Sequence, residues 1–289
     1  MRVPHVLLTR ADRLFAQGEI LSGRVVALSA AQERHLKRVL RLGVGAVLSL
    51  TDGQGGRGSG RLCVSGVEVL HWETQPRGPE VTLVAGVSKH TKLHFSVEKA
   101  TELGAARVIP VFTERTERRW DAGASQAKQQ RWEAVARAAL EQSRGLWLPQ
   151  VCVPAEFCEV VQSLQGLLLH PAANRQHAAI CEERAGQEIR GKTPVRNLAK
   201  SDEAAPAFFP ETLANFPSTF SSVHAPEQLG SRSWRVVAVG PEGGFSENEV
   251  RMALGQGWQM LDLGSRILRT ETASVVALSL AACANGMFE

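Results

Sequence analysis

The stretch RVVAVGPEGGFSENE, residues 235–249, decides the fold class. Arg235–Gly240 is a short apolar run ending at a glycine, the pattern of a buried strand. Ser246, with Glu249 three residues later, is the capping box that opens a helix. A buried strand that passes through Gly243 and Gly244 directly into a capped helix is one unit of a parallel sheet with crossover helices. The same texture recurs outward from it: VTLVAGV (81–87), RVIPVF (107–112), LLL (167–169) and MLDLG (260–264) are further apolar runs. Helical patterns over Lys89–Leu103 and Ser125–Arg144 end at Gly104 and Gly145, each reading as a glycine stop. The uncharged run Thr272–Phe288 falls short of a membrane span and reads as a buried helix.

Upstream the texture is different. RVVALS (24–29), AVLSLTD (46–52) and RLCVSGVEVLHWE (61–73) read as strands around a short helical HLKRVLRL (35–42), which is the outline of a small barrel-like module. Two prolines and a glycine within Gln75–Pro79 mark a linker. The chain therefore divides into an N-terminal β module over 1–75 and an α/β domain over 80–289. Residues 171–232 hold six of the 13 prolines and little sustained periodicity, so a helix followed by a long insertion is expected there.

At 289 residues, 44% hydrophobic and 21% charged, the composition is that of an ordinary globular chain and excludes disorder, fibre and coiled coil. The net charge of +4 is unevenly distributed. Residues 1–75 carry ten basic and six acidic side chains, and 76–289 carry 23 of each, so the whole excess lies in the N-terminal module. Either it faces a polyanion or it is a solvated surface with a basic bias. Five scattered cysteines with no C-x-x-C pair suit a reducing cytoplasm and give no disulfide framework or zinc site, and the N-terminal apolar stretch is too short for an export signal.

Two glycine motifs invite a nucleotide reading. Gly53–Gly58 matches G-x-G-x-x-G, but the residues after it read as a strand, whereas a dinucleotide turn must open a helix; a hairpin turn is the better reading. Gly240–Ser246 does lead into a helix, and it is either an ordinary βα loop or a loop that a ligand approaches closely; a Walker cradle is excluded because no G-K-[ST] follows. Leu263–Ala273 (LGSRILRTETA) turns the balance, because a second strand there ends at a glycine just before a helix. Ligands of open α/β sheets bind beyond the carboxyl ends of strands, so the two loops frame one pocket, with Ile267, Leu268 and backbone amides suited to an adenine ring. Arg266, Arg269 and Glu271 in this loop are functional or a self-neutralising network. Arg34, Lys37, Arg38 and Arg41, with His35, suit phosphate contacts or a solvated face. The arginines of Thr113–Trp120 would grip an anion or form surface ion pairs. Of the histidines only His170, after LLL, sits where a ligand would pass, and no pair has metal-ligand spacing.

Taken together, Gly240–Ser246, Leu263–Ala273, Lys99–Gly104 (KATELG) and Thr113-Glu114-Arg115 resemble the RsmE family, bacterial methyltransferases that act on N3 of a uridine in small-subunit (16S) ribosomal RNA, within the SPOUT superfamily. The resemblance extends over His35–Gly53 and Arg131–Pro149. It implies a PUA-like barrel that binds RNA and an α/β SPOUT domain with a parallel sheet and a deep trefoil knot, which general rules of chain connectivity disfavour. It also implies a homodimer that binds S-adenosyl-L-methionine. Carried onto this sequence, the cofactor pocket comprises Leu169, His170, Gly240, Gly243, Gly244, Leu263, Gly264, Ile267, Leu268, Arg269, Thr272 and Ala273. Residues 171–232 are longer than is usual in the family, and Ala46 and Ala138 replace acidic residues common there.

For such a reaction Arg269 is expected to stabilise negative charge developing on the uracil, and Glu271 to orient Arg269 or the adjoining loop. RNA contacts are expected from Arg10, Arg34, His35, Lys37, Arg38, Arg41 and Arg115, with the small ribosomal subunit or its RNA as partner and no metal or membrane. Two other readings are a SPOUT enzyme modifying another base or a ribose, and a non-catalytic RNA-binding factor in ribosome assembly. A nicotinamide-dependent oxidoreductase rests on Gly53–Gly58 alone and requires a helix after it.

Overall fold

The computed structural model describes residues 3–8, 23–88, 90–170, 235–264 and 266–288. The expected insertion at 171–232 and Arg10 lie outside the described residues. So does the rest of the chain from residue 171 to 234, between Leu169 and Val236, and with it the expected knot.

The N-terminal module is a five-stranded sheet in the order β1-β3-β4-β5-β2: β1 (His5–Leu7), β2 (Val25–Val26), β3 (Val47–Thr51), β4 (Gly56–Cys63) and β5 (Gly66–Thr74). Val6, Val26, Leu48, Leu50, Leu62, Val67 and Val69 point to one face and form its core with Leu36. The Gly53–Gly58 motif is a turn leading into β4, so the helix an oxidoreductase needs is absent. The stretch 35–42 is not a single α-helix. Helix α1 (Ala30–Arg34) is capped by Ser29 and gives way to a π-helical turn over His35–Val39, and Arg41 lies beyond it in the left-handed region (φ +53°). Only Val25–Val26 of the expected strand RVVALS pairs, and β1 arises in a segment with no strand pattern of its own.

The second domain is a parallel sheet in the order β12-β10-β11-β6-β7-β8, with a short β9 (Ala155–Glu156) also on β7. Its strands are β6 (Thr82–Gly86), β7 (Arg107–Phe112), β8 (Gln150–Val151), β10 (Leu167–Leu169), β11 (Val236–Val239) and β12 (Gln259–Leu261). One face is covered by α2 (His90–Glu102), α3 (Ala122–Ser143) and α6 (Thr270–Ala284), through Leu93, Val97, Trp132, Ala136, Ala277 and Leu278. The other face is covered by α4 (Phe157–Ser163) and α5 (Glu247–Gly255), through Phe157, Val161, Phe245 and Ala253. The capping box of α5 forms as read, with the Glu249 amide donating to Ser246 Oγ (3.1 Å) and the Ser246 amide to Glu249 Oε2 (2.8 Å). Glu249 is buried, and its other oxygen accepts the Glu114 amide at 2.9 Å, which satisfies the carboxylate and ties α5 to the loop after β7. Gly104 is left-handed as a helix stop requires, but at the end of α3 the left-handed residue is Arg144. Gly145 instead packs closely on Leu140, whose Cδ1 would lie 2.5 Å from a β-carbon there and would have to shift.

The two domains are joined through the glycine turn. The Gly55 amide donates to the Leu146 carbonyl and the Leu148 amide to the Gly53 carbonyl, both at 2.8 Å, so Gly53-Gln54-Gly55 pairs like a strand with Leu146-Trp147-Leu148. Arg144 Nη2 donates to the Val3 carbonyl (2.8 Å) and the Leu7 amide to Glu141 Oε1 (3.3 Å), fixing β1 to the end of α3. Gly55 has φ +93°, and a β-carbon on it would lie 2.3 Å from Trp147 Cζ2. Gly55→Ala is therefore expected to cost about 2 kcal/mol or more by overpacking and backbone strain, read as a lowered unfolding midpoint in urea. His5 packs at this junction with Nδ1 3.0 Å from Ser49 Oγ and Nε2 buried without a hydrogen-bond partner. Burial, and then the nearby Arg144 charge, hold its pKa at about 4 against an ordinary 6.5. The unfolded chain thus takes up the proton first, and stability present above pH 6.5 is lost as pH falls toward 4. Burial raises the carboxyl pKa of Glu141, which works in the opposite direction, so His5→Gln is the clean comparison. Its thermal midpoint is expected to fall less over that window than the parent's.

Candidate active site

Strands β12, β10 and β11 are parallel neighbours, so the segments leaving their carboxyl ends converge on one side of the sheet. They enclose a cavity of about 450 Å³. The loop after β11 turns tightly, with the Gly244 amide donating to the Pro241 carbonyl at 2.8 Å, and it is anchored by buried Phe245 stacked on Phe157 at 4.6 Å. Arg115 reaches in from the loop after β7 and donates from Nη1 to the Gly243 carbonyl at 2.6 Å. After β12, Asp262 Oδ1 accepts the Gly264 amide at 3.1 Å. Gly244 (φ +69°) and Gly264 (φ +99°) are both left-handed, and nothing lies within 4 Å of where a β-carbon would stand on either. Two bare stretches of backbone thus face the cavity, each at a conformation that favours glycine.

Leu169, Val239, Leu261, Leu263, Leu268 and Ala273 supply apolar wall. The apolar pair expected at 267–268 is split: Leu268 packs against the core, while Ile267 lines the cavity mouth and is 92% exposed. Arg269 is the N-cap of α6 without a side-chain capping bond, and it and Thr270 line the wall. Among the described residues the first-turn amides of α6 have no side-chain cap beside the cavity, an arrangement that favours a polar or anionic ligand group. His170, whose amide donates to the Leu261 carbonyl at 3.1 Å, closes the β10 side. Burial, and then the Arg115 charge, push its pKa below the ordinary value, so the imidazole is neutral at neutral pH.

Of the residues expected in the pocket, Leu169, His170, Gly240, Gly243, Gly244, Leu263, Gly264, Ile267, Leu268, Arg269 and Ala273 line the cavity. Thr272 does not; one residue further round α6, it is exposed. Glu271 is not on the wall either, and its ion pair is with Lys92 rather than Arg269. Arg34, His35, Lys37, Arg38 and Arg41 are all exposed on the N-terminal module, Lys37 facing Glu33 at 3.6 Å.

Lys92 was not legible in the sequence. From the first turn of α2 its Nζ lies 3.2 Å from Glu242 Oε1 and 3.8 Å from Glu271 Oε2, tying α2 to the loop after β11 and to the start of α6. Glu271 Oε2 is buried and makes no hydrogen bond, so this cation is its main compensation. The one sequence signal is a lysine in a helix's first turn, where the dipole disfavours it. Because the groups are partly solvated, Lys92→Met is expected to cost only about 1 kcal/mol of stability. Adding Glu271→Gln should recover part of that loss, and additive effects in the thermal-unfolding double-mutant cycle would dismiss the pair.

The chain matches the family model for an RNA methyltransferase domain over residues 75–282 and the model for an RNA methyltransferase PUA domain over residues 28–62. It is 30% identical to the ribosomal RNA small subunit methyltransferase E of Synechocystis, over 93% of this chain and 76% of that one. It is 28% identical to the Bacillus subtilis protein of the same name, over 73% and 69%. Its fold is similar to that of a Legionella pneumophila methyltransferase solved in complex with the cofactor SAM (25% identity, TM-score 0.67, 98% of both chains). It is equally similar to a Neisseria gonorrhoeae ribosomal RNA small subunit methyltransferase E bound to S-adenosyl methionine (24% identity, TM-score 0.67, 98% of both chains). These matches run through the N-terminal module and the whole α/β domain, and the chain belongs to the RNA methyltransferase family of ribosomal RNA small subunit methyltransferase E.

Proposed function

We propose that this protein transfers a methyl group from S-adenosyl-L-methionine to N3 of a uridine in small-subunit ribosomal RNA, acting as a cytoplasmic homodimer with a knotted SPOUT domain. The observation that carries the reading is the cavity where left-handed Gly244 and Gly264 present bare backbone opposite an apolar wall. That lining fits the cofactor: Leu169, Leu263, Leu268 and Ala273 offer an apolar slot for an adenine, and the two glycine loops and the start of α6 offer amides for its polar groups. Thr272, outside the cavity, is left out of this set. When bound, S-adenosylmethionine supplies a methyl group on a sulfonium, a strong electrophile.

The residues of the chain then have to position the uracil and support its charge. Loss of the N3 proton leaves negative charge on the imide, and Arg269 and Arg266, both on the cavity wall and without an ion pair among the described residues, are the cations free to meet it. Lys92 is held by two carboxylates, so its part is to set the two loops. Arg115 steadies the glycine loop by donating to the Gly243 carbonyl, and it meets the RNA from the loop after β7. A stacked or paired uridine must be splayed out to enter, which gives the exposed cations of the N-terminal module the task of gripping the surrounding RNA.

The test is transfer of labelled methyl groups from S-adenosylmethionine to small ribosomal subunits lacking uridine-N3 methylation, with the modified nucleoside identified by mass. Label in 3-methyluridine is expected; label on a ribose or another base would replace the specificity and keep the scaffold. Arg269→Ala is expected to lower the single-turnover rate by about 10²- to 10³-fold with cofactor saturating. An unchanged rate would remove Arg269 from the chemistry.

A further inference from the structure

The loop from Thr113 to Trp120 and the first half of α3 carry a cluster of cations that the cofactor cavity does not use. Its arginines divide cleanly by partner. Arg115 is spent on the Gly243 carbonyl, and Arg119 is paired with Glu156 and lies over Phe112 at 5.6 Å. Arg118 makes no ion pair or hydrogen bond among the described residues, and the same holds for Lys128 and Arg131 on α3. Glu117, the acid adjacent in sequence, pairs with none of the three.

Lys128 and Arg131 are three apart and so share one face of α3. Lys128 Nζ lies over the Trp120 ring at 5.3 Å, and that ring is braced by Phe112 (5.6 Å) and buried Trp132 (6.0 Å). An ammonium resting on a braced indole is held in place without a carboxylate to neutralise it. Burial, and then repulsion from Arg131 and Arg118, lower the pKa of Lys128, so both arginines act on it in the same direction. Such a cluster costs stability through self-repulsion and is relieved by a bound polyanion. Arg118 is three residues from Arg115, so its Cα is at most about 11 Å along the chain from the arginine that holds the cofactor loop.

We infer that Arg118, Lys128 and Arg131, with Lys128 supported on Trp120, form a phosphate-binding surface on the α/β domain that grips the RNA backbone beside the cavity. The inference rests on the proposed RNA substrate and adds a second grip to the one on the N-terminal module. Its contacts are to phosphates, so it would fix the register of the RNA and read no sequence.

The experiment measures binding of a small-subunit ribosomal RNA transcript to the full-length protein as a function of salt. It compares the parent with Arg118→Gln/Lys128→Gln/Arg131→Gln and with the charge-preserving Arg118→Lys/Lys128→Arg/Arg131→Lys. The neutral variant is expected to bind at least about tenfold more weakly at 0.1 M salt, with the log–log salt slope shallower by about 2, since each lost phosphate contact removes roughly 0.7–0.9. The charge-preserving variant should bind within about threefold of the parent. Circular dichroism and S-adenosylmethionine affinity, which do not depend on this surface, serve as the folding control. Parental affinity and slope in the neutral variant would overturn the inference and leave the cluster to an acidic protein partner. Equal weakening of both variants would also overturn it, because shape rather than charge would then be responsible. If the parent binds the transcript but methylates nothing, the proposed reaction fails and the surface stands.

Discussion

Parallel pairing of β10 with both β11 and β12 is the constraint on which the site depends. Parallel strands point their carboxyl ends the same way, so the loops that leave neighbouring strands must emerge together on one rim. Here that geometry brings three segments distant in sequence, at His170, at Gly240–Gly244, and at Asp262–Gly264 with Arg266–Arg269, onto one cavity. An antiparallel β10 would send the loop after it to the opposite rim and leave the cavity without its His170 wall. The apolar strands are buried on both faces by helices, and the same burial that stabilises the sheet holds the rim rigid.

Rigidity at the rim also rests on polar groups that are satisfied in pairs. Glu249 serves its own helix cap with one oxygen and the Glu114 amide with the other, so the capping box doubles as the tie between the loops after β11 and β7. Arg115 makes a second tie to the same loop through the Gly243 carbonyl. Lys92 makes a third, between two carboxylates on different segments. With these groups engaged, Arg266 and Arg269 stand at the cavity wall without acidic partners among the described residues. Cations without carboxylates are useful where charge develops during a reaction, because no ion pair has to break first.

What could be read in advance depended on whether the signal was local. The capping box of α5, the stop at Gly104, the buried strands and both glycine loops are written in a few consecutive residues, and each is found where its pattern lies. Lys92 was missed because its meaning lies in contacts with Glu242 and Glu271, 150 or more positions away. Strand β1 was missed because HVL has no strand pattern until β3 pairs with it and α3 packs on it. At Gly145 a sound local rule gave the wrong reason: the left-handed turn fell on Arg144, and the glycine answers to Leu140. The G-x-G-x-x-G match shows the reverse case, a local motif whose glycines serve a docking partner, Leu146–Leu148, that no short window contains.

That docking has a consequence for how RNA would be held. Helix α3 spans 22 residues, about 33 Å at 1.5 Å per residue. Its carboxyl end is fastened to the N-terminal module by Glu141, Arg144 and the strand-like pairing after it. Its first half carries Lys128 and Arg131, beside the loop from which Arg115 reaches Gly243 at the cavity. A single stiff element therefore sets the distance between the exposed cations of the N-terminal module and those next to the cavity. If the domains were joined only by the linker at Gln75–Pro79, each would grip RNA independently and the target base would find the cavity by search. Fastened through α3, the two cationic surfaces present one fixed spacing, and an RNA whose phosphates matched it would have its intervening nucleotides presented to the rim of the sheet.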